Sequence, residues 1–170
     1  ISNNVMTNGL LLLSSSSNNV FSNNISFANN GYVVNVSGGS SNLFTSNEIY
    51  EGAIYGFIIS SSNNVFTNNH IYDLPVGFSF MGGASNQISG GKIENINYGI
   101  KIFNSNNNKI DGVVIIEPVI NGIDLRVSSN NVINGSTFDS ISLNSSNSNN
   151  ITKNKGSIEM KPYIFDATPL

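Results

Sequence analysis

Apolar residues recur along this chain in short alternating stretches, separated by runs rich in Asn and Ser. A polar run followed by an aliphatic residue returns at Asn19-Val20, Asn42-Leu43, Asn64-Val65, Gln87-Ile88, Lys109-Ile110, Asn131-Val132 and Asn150-Ile151, with aliphatic positions 23, 22, 23, 22, 22 and 19 residues apart. A second marker is glycine before an alternating apolar stretch, at Gly31, Gly56, Gly77, Gly99 and Gly122. A third apolar position opens another short stretch at Ile25, Ile49, Ile71, Ile93, Ile115 and Phe138. Alternation of period two predicts strands, because a helix would need apolar positions three and four apart over a longer window. Each unit of about 22 residues therefore holds three short β segments, too few to bury an inner face alone. Stacked about 4.8 Å apart, about seven such coils make an all-β, single-chain right-handed parallel β-helix roughly 34 Å long.

The stacking gives most of the recurring residues a structural task. Asn19, Asn42, Asn64, Asn131 and Asn150, with Asn18, Asn63, Asn130 and Asn149 before them, read as a turn ladder whose amides bond from coil to coil. Asn also tolerates the left-handed backbone that tight corners need. Phe57, Phe78, Phe80, Ile100, Ile102, Ile123 and Leu125 are expected to stack inward, and the glycines to mark a corner with positive φ or a close backbone approach. Only 15 residues separate Val5 from Val20, so the first coil of a solenoid spanning 1–152 is expected to be shortened. The Asn/Ser spacing is lost over 153–170, which contains Pro162 and Pro169 and reads as a cap, a linker or a docking tail.

Composition narrows the partners. Of 170 residues, 39% are hydrophobic, enough for a continuous core, and only 10% are charged. A formal charge of −3 with 7 Lys+Arg offers no basic stripe for nucleic acid. No apolar run is long enough to span a bilayer as a helix. The absence of cysteine removes disulfides and thiolate chemistry, and the single histidine, His70, excludes a His cluster within the chain and is expected in an exposed turn. Sequons begin at Asn24, Asn35, Asn134, Asn144 and Asn150, acceptors for N-glycans in a secretory pathway.

The repeated grammar visible at 41–59, 62–80 and 106–125, of the form SSNNVFTNN followed by GF and alternating apolar residues, resembles the pectin-lyase-like superfamily. The likeness is greatest to its NosD-like branch, also called the carbohydrate-binding and sugar hydrolysis (CASH) repeat branch, and covers roughly 18–152. The resemblance implies the β-helix fold and an extracellular or cell-surface setting. Its known members range from polysaccharide lyases, hydrolases and epimerases to adhesins, tailspikes and surface-layer proteins, so it implies no single activity. The clustered Asp pairs with Gly-His-Gly of polygalacturonases and the Asp-Pro-His of alginate epimerases are missing from this sequence.

Two side-chain groups remain as candidates for chemistry. Two positions after each third marker the chain reads Phe27, Glu51, Asp73, Asn95, Glu117 and Ser140. Glu51 and Asp73 should lie one coil apart, close enough to share a proton or hold a cation such as Ca²⁺, with Tyr50 and Tyr72 as an aromatic shelf for a sugar ring. A solvated turn ladder explains the same residues. On the outward side of the glycine-led strand, Lys101 and Phe103 should stack against Asp124 and Arg126, forming an ion pair and a cation–π contact. Arg126 there suits a uronate carboxylate, and a plain surface salt bridge suits it equally. Two functions follow: a non-catalytic rod, filament, adhesin or surface-layer module that self-associates or abuts neighbouring subunits, and a polysaccharide-binding or polysaccharide-degrading module.

Overall fold

The computed structural model describes residues 1–7, 11–27, 31–52 and 54–160. Within these residues every strand pairs in parallel with the strand one turn away, and each full coil contributes to three faces. The leading face contains β3 (Val20–Ser22), β6 (Leu43–Thr45), β9 (Val65–Thr67), β12 (Gln87–Ser89), β15 (Lys109–Asp111), β18 (Val132–Asn134) and β20 (Asn150–Thr152). The middle face contains β1 (Val5–Thr7), β4 (Ile25–Phe27), β7 (Glu48–Tyr50), β10 (His70–Tyr72), β13 (Lys92–Glu94) and β16 (Val114–Ile116). The long face contains β2 (Leu11–Leu13), β5 (Tyr32–Val36), β8 (Tyr55–Ile59), β11 (Val76–Met81), β14 (Tyr98–Phe103) and β17 (Asn121–Arg126). In the last full turn β19 (Thr137–Asn144) serves both the middle and the long face, and β21 (Lys155–Met160) pairs with it. Residues 161–170, including Pro162 and Pro169, lie outside the described residues.

The repeat predicted from the pattern is present, but its register differs on each face: on the middle face Ile25 pairs with Glu48, and Ser26 takes the place in the row of Ile49. On the leading face Val20 pairs with Leu43, then Val65, Gln87, Lys109, Val132 and Asn150. Ile88, Ile110 and Ile151 thus belong one position further on, in the inward row with Phe21, Phe44, Phe66 and Ile133. The sequence marker joined outward aliphatics to inward ones, because both follow a polar residue. Phe44 and Phe66 are stacked at 5.0 Å, and Phe66 meets the edges of Phe57 and Phe78 at 5.1 and 5.5 Å. This aromatic cluster gives way toward Ile100, Ile102, Ile123 and Leu125, all buried as expected. Edge-to-face and offset rings add directional preference to the burial of large apolar surfaces.

Three corners hold the coil, and each contains a residue in the left-handed region: Asn63, Asn68 and Asp73 in one turn have φ of 58, 52 and 55°. Before the leading face, the backbone N–H and the Nδ2 of Asn19 both donate to Oδ1 of Asn42, at 3.0 Å each. The same pair of bonds links Asn42 to Asn64, Asn64 to Asn86, Asn108 to Asn131 and Asn131 to Asn149. Asn86 and Asn108 fill the rungs the pattern had left out, and the last rung is Asn149 rather than Asn150, which lies in β20. A second ladder, not read from the sequence, runs through Asn4, Asn24, Asn47 and Asn69 before the middle face. These buried amides stay satisfied because the period keeps identical groups one strand spacing apart.

The glycine row stands for close approach rather than positive φ. A Cβ on Gly56, Gly77 or Gly99 would lie 2.8, 2.6 or 2.5 Å from the carbonyl oxygen of the next glycine in the row. Gly31 is not a member of the row. Tyr32 pairs with Tyr55 and Val34 with Phe57, so Val33 occupies the position equivalent to Gly56.

Candidate functional site

The corner between the middle and long faces brings the first candidate group together in part. Tyr50 pairs with Tyr72, so Glu51 and Asp73 occupy successive rungs, followed by Asn95 and Glu117; all four are exposed and have positive φ. Asn95 Nδ2 donates to Asp73 Oδ1 at 2.6 Å. Phe27 is not in this row, because it pairs with Tyr50, and Ser140 leaves it by lying inside β19, where its Oγ donates to Asn121 Oδ1 at 3.2 Å. A shallow groove of about 350 Å³ runs beside the row, lined by Tyr72, Asp73, Glu94, Asn95, Ile116 and Glu117. Among the described residues no group of three or more acidic, histidine or cysteine side chains converges as a metal site.

The aromatic shelf has three rings rather than two. Phe27 stacks on Tyr50 at 5.1 Å and Tyr50 on Tyr72 at 4.8 Å, with interplanar angles of 4 and 8°. Rings stacked along the solenoid axis cover one another's faces, so the shelf presents ring edges rather than an open face. The Tyr72 hydroxyl donates to Glu48 Oε1 at 2.7 Å. Burial first, and then the bond to the Glu48 carboxylate, push the Tyr72 hydroxyl above the ordinary tyrosine range, which makes it a donor rather than a base.

A charged cluster beside this shelf was not legible in the sequence. His70 lies in β10 rather than in an exposed turn, and its Nε2 is 2.8 Å from Glu94 Oε1. Lys92 Nζ donates to the same oxygen at 2.7 Å. The Lys92 hydrogen bond, followed by that from His70, holds the Glu94 carboxyl below the usual range. The five groups come from three coils in register: Glu48 pairs with His70, which pairs with Lys92, and Tyr72 pairs with Glu94. Spacing at the coil period was the available signal. A cluster in which each charge has an internal partner is organised for rigidity more than for proton transfer.

The second candidate group has the expected register and different contacts. Lys101 pairs with Asp124 and Phe103 with Arg126 across β14 and β17. Yet Asp124 Oδ2 is taken at 2.9 Å by Arg126 Nε on its own strand, and the Lys101 ammonium lies 4.5 Å above the Tyr98 ring. In an extended strand, side chains two residues apart share a face, which lets the long guanidinium stem fold back onto Asp124. The pair is no ordinary surface salt bridge either: Asp124 is 1% exposed against 48% for Arg126. Asp124 Oδ1 is buried without a partner.

The sequons differ in access. Asn24 is buried and spends its amide on the second ladder, so a glycan there is incompatible with this packing. Asn35, Asn134 and Asn144 are partly buried, Asn134 donating to Asp111 Oδ1 at 2.9 Å, and Asn150 is exposed.

Comparison with known proteins agrees with the coil geometry. Residues 1–76 match the family model of the right handed beta helix region. The chain is a right-handed parallel β-helix. The matched part of the β-helix spans the aromatic core cluster as far as Phe66 and the first rungs of both Asn ladders. No curated protein and no solved structure matches the chain. Among the described residues no helix is long and apolar enough to cross a membrane.

Proposed function

We propose that the chain is a non-catalytic structural module, a rigid β-helical rod segment in an extracellular or cell-surface protein. The observation that supports this reading is the constancy of the coil. From Asn19 to Asn131 successive rungs of the Asn ladder are 23, 22, 22, 22 and 23 residues apart, closing to 18 at Asn149, and among the described residues no inserted loop walls a cleft. Bonds within the ladders and stacked core rows give length and stiffness without specifying a ligand. The sparsely charged exterior fits a module that meets neighbouring subunits. The purified chain is expected to release no new reducing ends or unsaturated uronates from acidic or neutral polysaccharides. Turnover that survives repurification overturns the reading. Surface labelling of intact cells making the full-length protein tests the location, and exclusive labelling after lysis counts against it.

The groove beside Asp73 and Glu117 favours a second reading, in which the rod contacts a glycan or a cation such as Ca²⁺ in the manner of the NosD-like and CASH repeats. Binding on a glycan array that is lost in Asp73→Ala or Glu51→Ala supports it. Equal binding in both variants and in Arg126→Ala removes both groups of residues from that role.

A further inference from the structure

Among the described residues the left-handed corners are held by polar side chains or glycine, with one exception. Val127 has a φ of 51° and is 50% exposed. Gly82, Asn104 and Val127 each donate their N–H to the residue before the next member of this corner row, which ends at Ser145. A β-branched residue is strained in that conformation, whereas glycine or asparagine holds the same turn with little strain. The corner therefore keeps an apolar side chain in water at a cost the turn itself does not require. Val127 is not alone. Met81 and Phe103 pair in successive strands of the long face, in register with Arg126, and are 38% and 51% exposed. The three form an apolar strip that crosses the ends of β11, β14 and β17. A contiguous exposed strip of this kind marks a surface that another segment covers.

The chain itself supplies a segment that fits. β21 ends at Met160, paired with Leu143, and the residue after Leu143 is Asn144, in register with Arg126, Phe103 and Met81. The chain thus leaves the described residues at the foot of the strip. Residues 161–170 follow, with Tyr163, Ile164 and Phe165 in succession and Asp166 as their one acid. Four strand spacings, about 19 Å, separate this exit from Met81, and ten residues span up to about 33 Å. Arg126 gives its Nε to Asp124 with its side chain half-exposed, so its other guanidinium donors are open to a second carboxylate. We propose that residues 161–170 fold back along this corner and cover the strip, with apolar side chains on Val127, Phe103 and Met81 and with Asp166 paired to Arg126. A strap along the side of the solenoid ties three coils together and leaves the outer edge of β21 open.

The chain has no cysteine, so Ala167→Cys carries a single nitroxide label on the full-length chain. Paramagnetic broadening in dilute solution is expected to be strongest at the Met81 methyl and the Phe103 ring, and weakest at the Ile151 methyls. Val127→Asn relieves the left-handed strain and leaves the stack folded, so the loss of an apolar contact can be read without loss of structure. Combined with Phe103→Ser it should abolish the broadening at Met81 while the amide spectrum of the coils is retained. Strongest broadening at Leu143 and Ile151 would place the segment over the end of the core and overturn the proposal. Uniformly weak broadening, as from a free tail, would do the same. So would broadening at Met81 that survives the double variant, or that arises only between a spin-labelled chain and a second, isotope-enriched copy. None of these results bears on the rod reading, which rests on turnover and location.

Discussion

The fifth coil and the turn that follows it are built from the same ladders but differ in one corner. Between Lys109 and Val132 the chain bends at all three corners, the last through Glu117, Pro118, Val119 and Ile120, with Val119 N–H bonded to Ile96 O at 2.9 Å. In the following turn, only 18 residues separate Asn131 from Asn149. There β19 runs straight through the place where the third corner would be, pairing Thr137 with Val114 and Ile141 with Ile123. Both other corners keep their side-chain bonds, Asn131 to Asn149 and the Ser136 N–H to Asn154 Oδ1 at 2.8 Å. Corners with buried amide partners hold the stack, whereas the exposed acidic corner can be dropped.

The largest expected effect lies in the regular coils. Phe66→Ala, at a side chain with no exposure and four ring partners, should cost about 4 kcal/mol in denaturant unfolding, against about 1 kcal/mol for the partly exposed Ile151→Ala in the short turn's row. Equal losses would mean that the short turn is packed as tightly as the rest. Next, Asn86→Ala strands the Asn64 N–H and removes the donor to Ser61 O, and should cost about 2 to 3 kcal/mol, while Asn149→Ala, at a partly exposed rung, should cost about 1 kcal/mol. A smaller loss at Asn86 than at Asn149 would break the contrast between the two regions.

Glu117→Gly should change stability by no more than about 0.5 kcal/mol, since relief of its left-handed backbone is offset by the chain entropy of glycine. A large loss would show that the acidic corner supports the fold after all. The smallest effect is the pH response of the middle face. Glu94 is held low by Lys92 and His70, so its contribution to stability is full above the ordinary carboxylate range, near pH 4.3 for an unfolded Glu, and fades as pH falls through its lower folded value. Glu94→Gln should lower the unfolding midpoint slightly at neutral pH, where the contribution is full, and flatten its fall over that acid interval. A midpoint that still falls with acid in the variant assigns the response to another carboxylate.

Legibility in the sequence followed periodicity. The inward rows from Phe57 to Leu125 and the rung order of Glu51, Asp73, Asn95 and Glu117 were readable, because a solenoid turns sequence spacing into spatial neighbours. The slip at Ile88 and Ile110 arose where Gln87 and Lys109 replaced outward aliphatics, leaving two apolar rows one position apart to be confused. The His70–Glu94–Lys92 cluster went unseen because its members are different residue types, and a search for repeats finds only similar ones.

By itself the sequence determined a parallel β-helix of about 22-residue coils, since only stacking at that period buries its alternating apolar positions and pairs its Asn side chains. Tertiary structure decided which partner each charge takes. Lys101 lies over Tyr98 rather than against Asp124, and Arg126 folds back on its own strand. Register places side chains side by side, but rotamer, burial and competition among neighbours choose the contact, and those are properties of the packed face rather than of the period.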